Sequence, residues 1–189
     1  MSSLPGRRAG GTNAASAFVD EWVARLAPRR GTHRCALDLA MGHGRVAVGV
    51  ARAGFRTFGV DARFDAVRDA KLAAAAAAVQ VHAWCADLTQ HPLPSARFDL
   101  IVVTRYLQRD LFHALRAAVR PGGVVLYETF TTAQLARGWG PASPDHLLEP
   151  GELLRSFEGF EVLFYEEVSA PEAVARLAAR KSASRTNRS

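Results

Sequence analysis

The stretch that decides the fold is CALDLAMGHGR, residues 35–45. It begins as an apolar run that holds one acid, Asp38, passes through a turn with two glycines and enters a helical pattern at Arg45. A buried strand, a tight loop and a helix N-terminus with free N–H groups form a nucleotide site in α/β proteins. A second strand-like run, residues 55–60, is followed by Asp61, and an acid at a strand tip can accept hydrogen bonds from ribose hydroxyls.

Two interpretations of this loop compete. Gly42-x-Gly44-x-x-Ala47 fits the loose pattern of dinucleotide-binding loops, which alone is a weak signal because two glycines and an alanine often recur by chance. Asp38, four residues before Gly42, favours a different ligand, since a carboxylate at this point would repel a pyrophosphate. S-Adenosylmethionine carries an ammonium and a sulfonium cation and no phosphate, so the acid favours this cofactor.

Five short segments carry a more specific pattern: Leu37–Arg45, Gly59–Asp61, Cys85–Leu88, Phe98–Val103 and Arg120–Gly123. In this order they resemble motif I, the ribose-binding acid, the adenine-contacting motif, motif IV and the turn before the fifth strand of class I S-adenosylmethionine-dependent methyltransferases. The first segment is most similar to the branch with small residues and Gly-x-Gly-Arg, which includes tellurite-resistance-type and related small-molecule methyltransferases. Ala40 departs from the commonest motif I, which has glycine there. The resemblance covers residues 16–181.

The resemblance implies a Rossmann-like, doubly wound, mostly parallel seven-stranded sheet with an antiparallel last strand and helices on both faces. The alternation of strand and helix patterns also predicts an open parallel sheet. After the first strand, the predicted strands are 55–60, 79–84, 97–103, 124–127 and 160–168, and the predicted helices are 14–27, 45–53, 62–78, 110–119 and 150–157. Residues 173–180 are ambiguous, because alanine and leucine favour a helix whereas the resembled fold needs a seventh strand. We predict a strand.

Composition predicts one globular domain. The chain has 189 residues, of which 49% are hydrophobic, and this is enough for one domain with a substantial core. We predict a single domain over residues 14–181, between flexible basic tails at 1–13 and 182–189. The net charge of +6 equals the charge of the basic residues near the two ends, which are Arg7, Arg8, Arg180, Lys181, Arg185 and Arg188. Because the middle of the chain is then formally neutral, a nucleic-acid partner is not expected.

Signals for secretion and for membrane insertion are not found in the sequence. No apolar run approaches the length of a membrane helix, and residues 1–12 lack the apolar core of a signal peptide. Cys35 and Cys85 lie in apolar strand-like runs and no Cys-x-x-Cys occurs, which is typical of a reducing compartment. We therefore predict a cytoplasmic protein, monomeric or homodimeric, without a membrane partner.

The predicted cofactor site lies at the carboxyl ends of the strands, where ligands bind in sheets of this class. Asp38 would take the amino group of the cofactor, Asp61 the ribose hydroxyls and Asp87 the adenine amino group. Gly42 and Gly44 would let the backbone approach the ligand. For Asp38 and Asp87 the alternative is a turn or helix-capping acid. The full predicted set is Asp38, Ala40, Gly42, Gly44, Asp61, Ala62, Asp87, Leu88 and Thr104.

Three further residues, Tyr106, Arg109 and Glu128, are predicted to position the substrate, because they follow the ends of the fourth and fifth strands. Arg109 has an alternative role as an ion-pair partner of Asp110 or Glu128. The six histidines show no metal-ligand spacing, so no metal site is predicted. The long connection at residues 131–150 suggests a lid or binding loop.

These observations predict an S-adenosylmethionine-dependent methyltransferase that transfers a methyl group to a small-molecule acceptor by in-line displacement. One alternative is an NAD(P)-dependent oxidoreductase on a dinucleotide-binding fold. The other is a non-catalytic S-adenosylmethionine-binding protein, because methyl transfer needs few obligatory side chains. The leading helix either closes over the cofactor, as in the resembled family, or only covers the sheet.

Overall fold

A seven-stranded sheet forms the centre of the computed structural model, which describes residues 17–183. The strands are β1 (Cys35–Leu39), β2 (Arg56–Asp61), β3 (Val81–Cys85), β4 (Phe98–Thr104), β5 (Val119–Phe130), β6 (Phe160–Val168) and β7 (Val174–Lys181). The helices are α1 (Ala17–Leu26), α2 (Arg45–Arg52), α3 (Phe64–Ala76), α4 (Leu111–Ala118) and α5 (Glu152–Ser156). The predicted tail at 1–13, the predicted helix start at 14–16 and residues 184–189 of the second tail lie outside the described residues.

The strand order is β3-β2-β1-β4-β5-β7-β6. β1 to β5 pair with parallel neighbours, whereas β7 runs antiparallel to both β5 and β6, which confirms the predicted fold class. β7 is a strand despite its alanines and leucine, because it lies between two strands and pairs along both of its edges. Tertiary pairing here outweighs the local preference for helix.

Alternate strand residues face two separate cores. One face packs against α1 and α2 and buries Ala36, Leu100, Val102, Val124 and Leu126. The other face packs against α4 and α5 and buries Leu37, Leu39, Ile101, Val103 and Tyr127. The near-continuous apolar runs of β1 and β4 follow from this two-sided burial, which is typical of parallel sheets.

The leading helix α1 covers the sheet. Its buried residues Phe18, Val19 and Val23 belong to the same apolar cluster as Val46 and Val50 of α2. Of the two roles considered for this helix, the contacts within the described residues are those of a sheet-covering helix.

Three local predictions are corrected. β5 begins at Val119 rather than at residue 124, because Val119 pairs with Phe98 across a register irregularity, so residues 121–123 belong to the strand. Lys181, which was grouped with the basic residues near the ends of the chain, belongs to β7, and its ammonium group donates to two backbone carbonyls. The connection at 131–150 contains two 3-10 helices, Thr132–Arg137 and Pro144–His146.

The connection is also anchored to the body of the protein. Leu147 and Leu148 are fully buried, and Leu148 forms an isolated parallel bridge with Thr131.

The parallel strands β1 to β5 begin along one side of the sheet and end along the opposite side. We call the side where these strands end the carboxyl edge, and the side where they begin the amino edge.

Candidate functional site

The loop between β1 and α2 is held at the carboxyl edge by left-handed backbone. Ala40, Gly42 and Gly44 have φ angles of 54°, 53° and 79°. Ala40 occupies this conformation without being glycine, which is unusual and costs about 1–2 kcal/mol. The Met41 amide donates to the carbonyl of Val60 at 3.0 Å, so the loop is tied to the end of β2.

Asp61, the last residue of β2, connects the two neighbouring loops. One carboxylate oxygen accepts the Gly42 amide and the other accepts the Arg63 amide, each at 2.9 Å. Two amide contacts fix the orientation of the carboxylate and leave lone pairs on both oxygens. Asp61 therefore presents further acceptor capacity toward the space beside the loop.

Asp87 follows the end of β3 at the same edge. Its Oδ1 accepts the amide of Thr89 at 2.9 Å and the hydroxyl of Thr89 at 2.7 Å. These hydrogen bonds lower the pKa of Asp87, so the carboxylate stays ionised. The predicted turn geometry is thus present, but it engages only one oxygen and leaves Oδ2 without a hydrogen bond within residues 17–183.

These residues surround a cavity of about 330 Å³ at the carboxyl edge. It lies at the ends of β1, β2 and β3 and reaches the residues that follow β4, beside the point between β1 and β4 where the strand order reverses and where ligands bind in doubly wound sheets. The cavity is lined by Leu39, Ala40, Val60, Asp61, Ala62, Arg63, Ala86, Asp87, Leu88, Arg105 and Tyr106. The structure therefore brings together five of the predicted cofactor residues, namely Ala40, Asp61, Ala62, Asp87 and Leu88.

Asp38 lies beneath the loop rather than in the cavity. Its side chain is 1% exposed, and neither carboxylate oxygen has a partner within hydrogen-bond distance and angle among the described residues. Burial raises its pKa from 3.8 to about 7, an effect that the nearby backbone of Ala47 and the charge of Arg45 oppose and the charge of Asp61 reinforces. A buried carboxylate without a partner is costly unless an opposite charge comes close. Asp38 is therefore a source of negative potential under the loop.

The two glycines of the loop have different roles. A Cβ on Gly42 would meet nothing within 4 Å, and its amide holds Asp61. A Cβ on Gly44 would lie 2.6 Å from the Cβ of Ala70 and 2.8 Å from its Cα. Gly44 is thus needed where α3 crosses the start of α2. The structure shows a packing role for Gly44, and the approach of its backbone to a ligand stays a prediction.

Thr104 and Glu128 also lie outside the cavity lining. Thr104 ends β4 and pairs with Glu128 of β5. Glu128 is 4% exposed and forms an ion pair with Arg176 of β7, where the sheet interior holds it. These residues are therefore part of the sheet behind the cavity, and Glu128 is not placed as a substrate contact.

Arg109 joins the start of α4 to the long connection. Its guanidinium contacts both carboxylate oxygens of Glu152, at 2.6 and 2.9 Å, and donates to the carbonyls of Asp145 and Leu147 at 3.0 and 2.9 Å. It does not line the cavity, and its ion-pair partner is neither Asp110 nor Glu128. The structure assigns Arg109 an anchoring role for residues 145–152.

Comparison with known proteins shows similarity to methyltransferases. Residues 36–123, slightly less than half of the chain, match a family model described as a methyltransferase domain. The matched segment contains the loop, Asp61 and Asp87 described above. None of the curated proteins matches the sequence.

Solved structures share the methyltransferase fold at low sequence identity. TehB from Haemophilus influenzae is 18% identical with a TM-score of 0.71, and the match covers 90% of this chain and 64% of TehB. The N-methyltransferase NodS from Bradyrhizobium japonicum WM9 is 17% identical with a TM-score of 0.67, covering 86% and 94%. The [4+2]-cyclase SpnF is 19% identical with a TM-score of 0.69, covering 87% and 81%. At these identities the likeness concerns the fold.

S-Adenosylmethionine is the cofactor predicted from the sequence, and the residues of the cavity fit this molecule. Asp61 and Asp87 offer acceptors for the hydroxyl and amino groups of an adenosine, and Ala40 and Leu88 supply apolar surface. The unpartnered carboxylate of Asp38 suits a ligand with cationic groups. The strand order, with β7 inserted antiparallel between β5 and β6, also differs from the dinucleotide-binding order.

Two charged residues that line the cavity, Arg63 and Arg105, were not predicted from the sequence. Arg63 follows Asp61 and pairs with Asp65 at 2.8 Å. Arg105 follows β4, has a φ angle of 52° and contacts both carboxylate oxygens of Glu172 at 2.8 and 2.9 Å. The contact with Glu172 joins residues 67 apart, so no local sequence signal could have revealed it.

No helix in residues 17–183 is long and apolar enough to cross a membrane. In the same range, no group of three or more His, Cys, Asp or Glu side chains converges to hold a metal ion.

Proposed function

We propose that the protein is an S-adenosylmethionine-dependent methyltransferase that acts on a small-molecule acceptor. The observation that carries this proposal is the placement of Asp61 and Asp87 on one cavity at the switch point of a methyltransferase fold, with the buried Asp38 behind it. The bound cofactor would supply an activated methyl group whose leaving group departs as a neutral thioether.

The side chains of the cavity would hold and orient the reactants. Asp61 would accept from the ribose hydroxyls and Asp87 from the adenine amino group, while Ala40, Ala62 and Leu88 would enclose the base. Asp38 would balance the positive charge of the cofactor through the loop. Such positioning is the main requirement of an in-line displacement, because the reaction is fast once the reacting atoms are near and aligned.

Tyr106 lies at the part of the cavity formed by the end of β4. Burial and the charges of Asp87 and Asp61 raise the pKa of its phenol, so Tyr106 is a hydrogen-bond donor rather than a base at neutral pH. Asp87 is a weak base because its pKa is lowered, and no histidine lines the cavity among residues 17–183. The site therefore favours acceptors that are nucleophilic at neutral pH without giving a proton to an enzyme base, such as a thiolate, an amine that is unprotonated at this pH or a metalloid anion, over alcohols.

The test of the proposed function is cofactor binding by calorimetry with S-adenosylmethionine and S-adenosylhomocysteine. Asp61→Asn is expected to weaken binding by about 2 kcal/mol or more, because it removes the charge on acceptors of ribose hydroxyls. Asp65→Asn is the matched control, since Asp65 is an exposed carboxylate of the same loop that does not line the cavity. Equal affinity of Asp61→Asn and the wild type would refute the ribose assignment.

Transfer itself is tested with a panel of thiols, amines, alcohols and metalloid anions and a labelled methyl group. Label in a thiol, amine or metalloid product supports the proposal. Tight cofactor binding without transfer to any acceptor would favour the non-catalytic alternative, and the fold that this chain shares with the [4+2]-cyclase SpnF is compatible with that outcome. Binding of reduced nicotinamide cofactors in place of S-adenosylmethionine would overturn the proposal.

A further inference from the structure

The amino edge of the sheet, opposite to the cavity, carries a concentration of basic side chains. Parallel register brings the strand starts together, since Cys35 pairs with Arg56 and Phe58 pairs with His82. The basic residues lie just before β1, at the end of α2, at the starts of β2 and β3, and just before β4. We call this set the basic edge: His33, Arg34, Arg52, Arg56, His82 and Arg97.

Few carboxylates neutralise the basic edge. Asp99 lies 3.9 Å from Arg34 and 3.2 Å from Arg120, and its side chain is only 12% exposed. Among residues 17–183, no carboxylate lies within 4 Å of a side-chain nitrogen of His33, Arg52, Arg56, His82 or Arg97. The positive charge of this edge is therefore available to an external anion.

An open groove of about 620 Å³ runs through the basic edge. His33, Arg56 and His82 line it together with the polar side chain of Gln80. The groove combines positive charge with hydrogen-bonding groups, which suits the phosphate groups of a polyanion.

Flat cationic and aromatic groups lie side by side in and under this groove. The imidazole of His82 stacks on Phe58 with ring centroids 5.1 Å apart, and the guanidinium carbon of Arg56 lies 5.4 Å from the same ring centroid. Arg56 is exposed and His82 is half-buried. Guanidinium and imidazole planes are surfaces on which unstacked bases pack.

We propose that the basic edge binds single-stranded nucleic acid without sequence preference. Phosphates would contact the arginines, and one or more bases would stack on Arg56 or His82. The stacking planes favour this ligand over an acidic protein, which would use the charge but not the planes. A nucleic-acid partner was not expected from the sequence, because the middle of the chain is formally neutral. In the folded protein, however, the residues of the basic edge lie together at the amino edge.

The basic edge lies away from the proposed methyltransferase site. Strands of the length of β1 and β2 place the two edges about 17–20 Å apart. Nucleic acid at the basic edge would therefore anchor the protein, and it would not be the methyl acceptor. The proposal does not depend on the proposed function.

The test is fluorescence anisotropy with the full chain and a labelled single-stranded DNA of mixed sequence, about twenty nucleotides long, which exceeds the usual site size. The double variant Arg52→Gln/Arg56→Gln is compared with Arg68→Gln/Lys71→Gln. Both remove two positive charges, but Arg68 and Lys71 lie on the exposed surface of α3. Residues 1–16 and 184–189 are present in every protein, so a difference between the variants belongs to the basic edge.

The wild type is expected to bind with an affinity that falls as salt rises from about 50 to 200 mM. Loss of two phosphate contacts is expected to reduce the slope of log K against log salt by about 1.4 and the affinity about twenty-fold near 0.1 M salt. The control is expected to keep wild-type affinity. Thermal unfolding of each variant verifies that it is folded.

Three results would overturn the proposal. The first is no binding at low salt, and the second is an equal loss of affinity in both double variants. The third is tighter binding to the matching duplex or to phosphatidylserine vesicles than to the single strand, since neither ligand uses the stacking planes. The variant Arg52→Gln/Arg56→Gln is expected to bind S-adenosylmethionine as the wild type does. A failure of nucleic-acid binding can therefore be told apart from a failure of the proposed function.

Discussion

Replacement of Asp38 by Asn is expected to stabilise the protein at about pH 8 and to weaken its cofactor binding. The Asp38 carboxylate is fully buried without a hydrogen-bond partner in the described residues, and burial raises its pKa from 3.8 to about 7. Because the folded pKa lies above the unfolded one, the folded protein binds more protons than the unfolded chain between these pH values. Wild-type stability should therefore fall as the pH rises through this window.

The size of the effect follows from the pKa difference. A shift from 3.8 to about 7 corresponds to about 4 kcal/mol of unfolding free energy at a pH above both values. The buried amide of Asn would itself need partners, which costs about 1–3 kcal/mol. We therefore expect a net gain of about 1–3 kcal/mol for Asp38→Asn at about pH 8, which is about 2–12 °C in Tm for a domain of this size. The gain should shrink as the pH falls toward 5.

Cofactor binding should change in the opposite direction. The cationic cofactor is expected to prefer the ionised carboxylate, so its binding to the wild type releases a proton below about pH 7. The Kd of the wild type then rises by up to tenfold for each unit that the pH falls below this value. In Asp38→Asn this part of the pH dependence should disappear and the affinity at pH 8 should fall. Thermal unfolding and calorimetry in buffers of different ionisation enthalpy measure both effects.

His43 provides the control for this experiment. It is an ionisable residue of the same loop, and its Nδ1 lies 3.1 Å from a carboxylate oxygen of Asp69. In His43→Gln, the free energy of unfolding should still fall as the pH rises, and cofactor binding should still release a proton, because we assign both effects to Asp38. The reasoning is refuted if Asp38→Asn has the pH–stability profile of the wild type, or if its cofactor affinity is unchanged at every pH.

Three further substitutions test the structure around the cavity. Gly44→Ala should lower the unfolding free energy by about 2–4 kcal/mol, from left-handed strain and overlap with Ala70, and Ala70→Gly should recover only part of this in the double variant. Full stability of Gly44→Ala would contradict the close approach of α3. Arg109→Gln should lower the free energy of unfolding by about 1–2 kcal/mol and speed amide hydrogen exchange in residues 145–152, while the Kd of the cofactor stays unchanged. A large loss of cofactor affinity would instead place Arg109 in the binding site. Tyr106→Phe should lower kcat about tenfold, by loss of one hydrogen bond, without a comparable change in cofactor affinity, and equal losses would place its hydroxyl on the cofactor.

The residues that line the cavity divide into those that sequence reasoning could find and those that it could not. Asp61 and Asp87 were predictable because each follows a strand pattern, and the carboxyl ends of parallel strands meet at one edge of a sheet. Arg105 was missed because its partner, Glu172, lies far along the chain. The anchoring role of Arg109 depends likewise on Glu152 and on carbonyls of a connection whose path the sequence does not define.

The sequence by itself determined the fold class and the cofactor edge. Both follow from local patterns, namely apolar runs long enough for buried strands, a glycine turn and acids at strand ends. Only the tertiary structure decided that Gly44 serves helix packing, that Asp38 is buried without a partner, and that β7 is a strand against its local propensity. Only the tertiary structure, too, brought the residues of the basic edge together from a formally neutral stretch of the chain. The physical reason is common to all of these: each depends on a contact or a distance between residues far apart in the chain, which no local pattern encodes.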